Sequence, residues 1–104
     1  MDIASLPFNR WLGLQTWERD GSPAMMLEPQ PQHLNHVGTV HATVLFGIAE
    51  AASGQCLLAR FPEFGDTALA LLRTAAVKYR KPAAADRTLV AAGRIDEGEA
   101  ERFR

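Results

Sequence analysis

One cysteine in 104 residues rules out an internal disulfide, so this chain must hold its shape by packing alone. Charge of one sign is also missing. Eleven Lys and Arg stand against twelve Asp and Glu, a net of −1, which excludes the basic surplus of a nucleic-acid binder and confines any phosphate recognition to a local cluster. The opening residues, Met1-Asp2-Ile3-Ala4-Ser5-Leu6-Pro7, lack a basic stretch followed by an apolar one. No signal peptide is read there, and a cytoplasmic location is the expectation. No repeat or low-complexity segment is present. The longest apolar stretch, residues 42–59, is interrupted by Thr43, Gly47, Glu50, Ser53, Gly54 and Gln55, which argues against a membrane span. His33, His36 and His41 lack zinc-motif spacing and nearby Cys or Asp, so no metal is expected. Ser53 has no Gly two residues before it and is not a nucleophile elbow.

What remains is ordinary in bulk: 47% apolar and 22% charged residues, the composition of one globular domain. Residues 2–10 read as a short helix or turn that lays Phe8 and Trp11 on the core. Residues 12–18 and 24–27 read as the two arms of a hairpin around the turn Asp20-Gly21-Ser22-Pro23. After the loop opened by Pro29 and Pro31, a long helix is predicted to begin near Thr39, its N-cap, and to run to about Arg60, where Phe61-Pro62 ends it. Leu45, Ile48, Ala49, Ala52, Cys56 and Ala59 recur at helical spacing and should face a sheet. Thr43, Gly47, Glu50 and Gly54 form a stripe of small residues around one acid, permitting close approach of a partner helix or a thin substrate. Residues 67–79 and 87–95 read as strands, joined through Lys81-Pro82-Ala83. The tail from Asp96 to Arg104 shows no element.

Glu50 carries the chemistry. A carboxylate among small and apolar side chains loses hydration worth several kcal/mol unless something compensates. Two readings stand: a Glu on the helix's wet stripe or paired with an Arg, and a functional acid. The first turn favours the second. Val40, His41, Ala42 and Thr43 fill it with no acid to complete a capping box, so its amides stay free at the positive end of the helix dipole, an arrangement suited to an anion or a developing oxyanion. Nine residues of rise put Glu50 roughly 13 Å from His41. The two therefore meet only if two helices run antiparallel across a two-fold axis, giving composite sites.

The pattern of Asn35, then His41 opening a helix, then Glu50, resembles the hotdog-fold acyl-CoA thioesterases of the phenylacetate-pathway and 4-hydroxybenzoyl-CoA type. Gly38-Thr39-Val40-His41-Ala42, Glu50-Ala51-Ala52-Ser53-Gly54 and Val77-Lys78-Tyr79-Arg80-Lys81-Pro82-Ala83 carry the likeness over roughly residues 10–95. It departs in having Ala42-Thr43 where many members have Gly-Gly, Leu72 where some have Ser, and Glu50 where several have Asp. Thr74, on the same face as Leu72 in a strand, is a weak substitute for that Ser. The resemblance implies an α+β hotdog fold, an antiparallel sheet wrapped around one long central helix. It also implies a single domain over residues 1–104 whose closing strands are absent or supplied by another chain, since family members continue beyond the four strands counted here; a complete but minimal variant is the alternative.

On that resemblance the expected activity is hydrolysis of an acyl-CoA thioester by a homodimer or a dimer of dimers, with no cofactor beyond the coenzyme A of the substrate, no nucleic acid and no membrane. Glu50 acts as base or nucleophile, the amides near His41 and Ala42 hold the oxyanion, and Asn35 orients water or carbonyl. Gly38 and Thr43 flank the substrate. The basic cluster at Arg80 and Lys81, with Lys78 and Arg73, meets the CoA phosphates or is solvated surface. Two rivals stand beside this reading: a non-catalytic hotdog module that binds acyl-CoA, and a hotdog dehydratase or hydratase, disfavoured by the lack of a proline-rich His motif before the helix.

Overall fold

A computed structural model describes residues 1–64 and 71–103. Among these the chain is α+β: one 19-residue helix lies against a three-stranded antiparallel sheet. The chain opens with a 3-10 turn, Ile3–Ser5, capped by the Asp2 carboxylate, and a short helix α1, Pro7–Leu12, with proline at its first position where the missing N–H costs nothing. Strands β1, Gln15–Arg19, and β2, Ser22–Leu27, form the expected hairpin. Asp20 and Gly21 both take positive φ, 52° and 81°, the two-residue turn whose twist matches the strands it joins. Helix α2 is Ala42–Arg60, β3 is Leu89–Ala91 on the far edge of β2, and α3 is Glu97–Phe103. The core between sheet and α2 gathers Leu12, Leu14, Met25, Leu27, Val40, Val44, Ile48, Ala51 and Ala52.

Several expectations are corrected. Phe8 and Trp11 do not enter the core. On a helix this short Asn9 and Leu12 face inward, and Phe8 and Trp11, three apart on the opposite face, lie against each other with ring centroids 5.8 Å apart and are largely exposed. The buried face of α2 is rotated from the one predicted: Val44, Ile48, Ala51 and Ala52 are buried, while Ala49 and Ala59 are exposed. The small-residue stripe is occupied by the chain's own N-terminal segment. A Cβ added at Gly47 would lie 2.9 Å from Leu12 Cδ2 and 3.8 Å from Phe8 Cε2, and one at Gly54 would lie 3.9 Å from Ile3 Cδ1.

The long predicted strand over residues 67–79 falls partly outside the described residues. Residues 71–80 are exposed and form no strand, because β propensity needs a neighbouring ladder to act on. The strand expected over residues 87–95 shortens to three residues. The tail is a helix: Asp96 caps it, its Oδ1 accepting from the Gly98 N–H at 2.9 Å, and Glu97 and Glu99 lie in the favourable first turn. Arg60 docks this tail through a two-bond ion pair with Glu97 at 3.0 and 2.9 Å, which holds the Glu97 carboxyl below the usual carboxylate range. The polar interruptions in α2 do not disqualify it as a span: by length and composition it is apolar enough to cross a membrane, although here its Val44, Ile48, Ala51 and Ala52 pack in the core with the sheet.

Residues 92–95 leave β3 across α2 at very close range. A Cβ at Gly93 would stand 2.8 Å from Cys56 Cβ, 2.9 Å from the Ala52 carbonyl oxygen and 3.2 Å from Ser53 Cα. These are rigid helix atoms and cannot yield as a side-chain tip would. Gly93→Ala should therefore destabilise the fold by about 2 kcal/mol, as overpacking does. The urea midpoint measures it, and an unchanged midpoint would mean that the segment lifts freely from the helix.

Candidate active site

The start of α2 is built by a tight loop over residues 34–40. Leu34 and Val40 form a bridge, the Asn35 N–H donates to the Thr39 carbonyl at 2.8 Å, and Gly38 takes φ +82°, a conformation costly for any residue with a Cβ. Asn35 organises this loop with its side chain too. Its Oδ1 accepts from the N–H groups of Val37 and Thr39 at 3.0 and 3.1 Å, and its Nδ2 donates to Thr39 Oγ1 at 2.8 Å. Both ends of the amide are engaged locally, leaving one Nδ2 proton for anything beyond.

Thr39 is not the N-cap. The Val40 N–H is drawn to the Ala83 carbonyl at 3.0 Å and the His41 N–H to the His33 carbonyl at 2.8 Å, which keeps both residues extended and delays the helix. His41 takes the cap: its φ and ψ are −61° and 139°, and its ring Nδ1 accepts from the Thr43 N–H at 3.0 Å. The Val44 and Leu45 amides both donate to the His41 carbonyl, at 3.0 and 3.2 Å. The prediction of a turn of free amides is thereby corrected to one. Among the described residues the Ala42 N–H has no acceptor, and Ala42 is exposed at the positive end of a 19-residue helix.

His33 is a residue whose role sequence spacing did not disclose. It is 3% exposed, its Nε2 lies 2.8 Å from the Leu12 carbonyl, and its Nδ1 accepts from the Gln30 N–H at 2.9 Å. A carbonyl on one side and an N–H on the other select the neutral tautomer with the proton on Nε2. The ring ties α1 to the loop ahead of α2, and both its nitrogens are spent. No group of three or more His, Cys, Asp or Glu side chains is arranged to hold a metal among the described residues.

Glu50 lies in the third turn of α2, half-buried, and no hydrogen bond or ion pair reaches its carboxylate among the described residues. Ser53 Oγ donates to the Glu50 backbone carbonyl at 2.7 Å, the role of a mid-helix serine. Glu50 and the free Ala42 amide are eight residues apart, roughly 12 Å along the axis. Within one protomer they cannot grip the same carbonyl group.

Arg80 and Lys81 are exposed. The bond from the Val40 N–H to the Ala83 carbonyl fixes the chain beside the start of α2, and at about 3.5 Å per residue the Cα atoms of both residues lie within about 10 Å of that anchor. Thr43 is exposed in the first turn, its amide held by His41.

The chain matches the family described as "Domain of unknown function (DUF4442)" over residues 18–102. No curated protein and no solved structure matches it.

Proposed function

Because the chain belongs to the DUF4442 family, whose description assigns no chemistry, we propose, from its residues together with their resemblance to the hotdog acyl-CoA thioesterases, that it hydrolyses an acyl-CoA thioester on a hotdog-type scaffold shared between two protomers. One observation carries the reading. Among the described residues, helix α2 presents one unoccupied amide, that of Ala42, at its positive end and one acid, Glu50, whose carboxylate has no partner, in a mostly apolar helix. A half-buried carboxylate without a partner gives up hydration that a fully exposed one keeps, and selection for stability alone rarely places one there.

In the proposed reaction the thioester carbonyl oxygen accepts from the Ala42 N–H of one protomer, where the helix dipole favours the negative charge that develops on attack. Glu50 of the other protomer takes a proton from water as the water adds to the carbonyl carbon. Collapse of the tetrahedral adduct breaks the carbon–sulfur bond, releases the acid, and returns the proton to the CoA thiolate. Alternatively, Glu50 attacks the carbonyl carbon, the carbon–sulfur bond breaks to release CoA thiolate, and water hydrolyses the resulting anhydride to give the acid, restore the Glu50 carboxylate and supply the proton that the thiolate takes up. Asn35 shapes the loop that sets the Ala42 amide, and its remaining Nδ2 proton can serve the water or the carbonyl. Arg80 and Lys81, tethered near the helix start, suit the CoA phosphates. The proposed setting is the cytoplasm.

The test is turnover of a panel of short, long and aromatic acyl-CoA thioesters by the purified protein, with CoA release as the readout. Hydrolysis of any of them supports the reading. Binding without turnover would favour the second reading, a non-catalytic acyl-CoA-binding module. Replacing Arg80 and Lys81 by Ala should raise KM for full CoA esters about tenfold while leaving short thioesters without the nucleotide nearly unaffected. Equal effects on both substrates would reassign the pair to surface solvation.

A further inference from the structure

The side of α2 that carries Glu50 is bordered by the chain's own N-terminal segment. A Cβ at Gly54 would stand 3.9 Å from Ile3, and one at Gly47 would stand 2.9 Å from Leu12 and 3.8 Å from Phe8. Residues 3–12 therefore run antiparallel along the helix, past the level of Glu50, which lies between those two glycines in sequence and on the same stripe. At 3.6 residues per turn, Glu50 stands about 60° round from Gly47 on one side, while the core residues Val44, Ile48, Ala51 and Ala52 stand about 40–140° round on the other. The acid faces away from the sheet.

The aromatic pair of α1 is turned the same way. Leu12 belongs to the core between sheet and helix, and Phe8 and Trp11 lie about 40° and 100° round α1 from it. They are 55% and 75% exposed. Neighbours three apart on a helix have Cβ atoms about 5–6 Å apart, so adding the 3.8 Å from a Gly47 Cβ to Phe8 puts the near edge of that ring within about 10 Å of the Glu50 Cβ. An exposed pair of aromatic rings is an apolar surface with nothing of its own fold to cover it, and this pair stands beside the acid.

We propose, resting on the hydrolytic reading above, that Phe8 and Trp11 form the wall against which the acyl group of the thioester lies, and that the acyl groups accepted are uncharged, apolar and about six or more carbons long. With C–C bonds of about 1.5 Å, an acetyl methyl whose carbonyl is held at Glu50 stops short of the rings. A longer chain reaches them, and each methylene that does so leaves water. A carboxylate at the far end of the chain meets the negative faces of the rings and the like charge of Glu50. Arg10, the cation of α1, lies about 200° round that helix from Phe8 and offers such a carboxylate no partner there.

The test compares acetyl-, hexanoyl-, octanoyl- and adipoyl-CoA, the last being hexanoyl with a terminal carboxylate. The value of kcat/KM is expected to be at least about tenfold higher for octanoyl than for acetyl, and for hexanoyl than for adipoyl. Phe8→Ala combined with Trp11→Ala should lower the octanoyl-to-acetyl ratio about tenfold; both side chains are largely exposed, and circular dichroism checks that the fold persists. A second measurement needs no turnover and no change in the wall. Trp17→Phe leaves Trp11 as the only tryptophan, and its emission should shift to the blue on titration with S-octyl-CoA, a thioether that cannot be hydrolysed, but not with CoA alone. Hydrolysis without length preference, a parental ratio in the double variant, or a Trp11 emission indifferent to S-octyl-CoA would each overturn the acyl wall and leave hydrolysis standing. A Trp11 response without hydrolysis of any thioester would keep the wall and remove the hydrolytic reading.

Discussion

Glu50→Gln is expected to lower thioester hydrolysis by a factor of 10² or more, with the circular dichroism spectrum and thermal midpoint near those of the parent. The amide keeps the size and half-burial of the carboxylate but can neither accept a proton from water nor attack a carbonyl, and general-base catalysis contributes roughly 10²–10⁴. No partner is orphaned by the change, because no hydrogen bond or ion pair reaches the carboxylate among the described residues. The loss should appear in kcat with KM little altered, the mark of a group that acts in the transition state. Activity within about twofold of the parent would remove Glu50 from the chemistry and assign the activation of water to another group.

Ala42→Pro should have an effect of similar size for a different reason. Position 42 is the first residue of α2, the place a helix tolerates proline, and His41 already has the extended φ and ψ that a following proline requires. The substitution thus deletes the one free amide with little disturbance of the helix, and loss of an oxyanion donor costs about 10²–10³ in kcat. The two variants together report on assembly. Mixed and allowed to exchange, they form about half heterodimers, each with one intact composite site and one doubly altered site, so about a quarter of parental activity should return. Absence of recovery despite demonstrated subunit exchange would mean that Ala42 and Glu50 do not serve one site across the two-fold axis.

How much of this was legible in the sequence depended on how local the cause was. The hairpin was readable because Asp20 and Gly21 tolerate the positive φ that a two-residue turn demands. The end of α2 was readable because Pro62 forbids continuation, and Glu50 was conspicuous because a charge in an apolar helix has a cost wherever that helix lies. The tail helix carried a local signal as well, Asp96 before Glu97 and Glu99, which the absence of apolar periodicity concealed.

The start of α2, its buried face and the state of its first-turn amides were different in kind. Thr39 is an adequate cap by residue type, yet the bonds from Val40 to Ala83 and from His41 to His33 hold the chain extended past it, and their partners are distant in sequence or set by a folded loop. Likewise the glycines at positions 47 and 54 admit a neighbour, but only packing decided that the neighbour is the chain's own Leu12, Phe8 and Ile3. Gly93 needs to be glycine only because it crosses Ser53 and Cys56, and residues 71–80, apolar enough for a strand, form none without a ladder beside them. By itself the sequence determined the turns, the helix stop and the presence of an acid out of keeping with its surroundings, since each follows from φ and ψ preference or the hydration of one side chain. Tertiary structure alone decided which amide stays free, which face is buried and which small residues are filled, because those depend on contacts between segments that no local preference encodes.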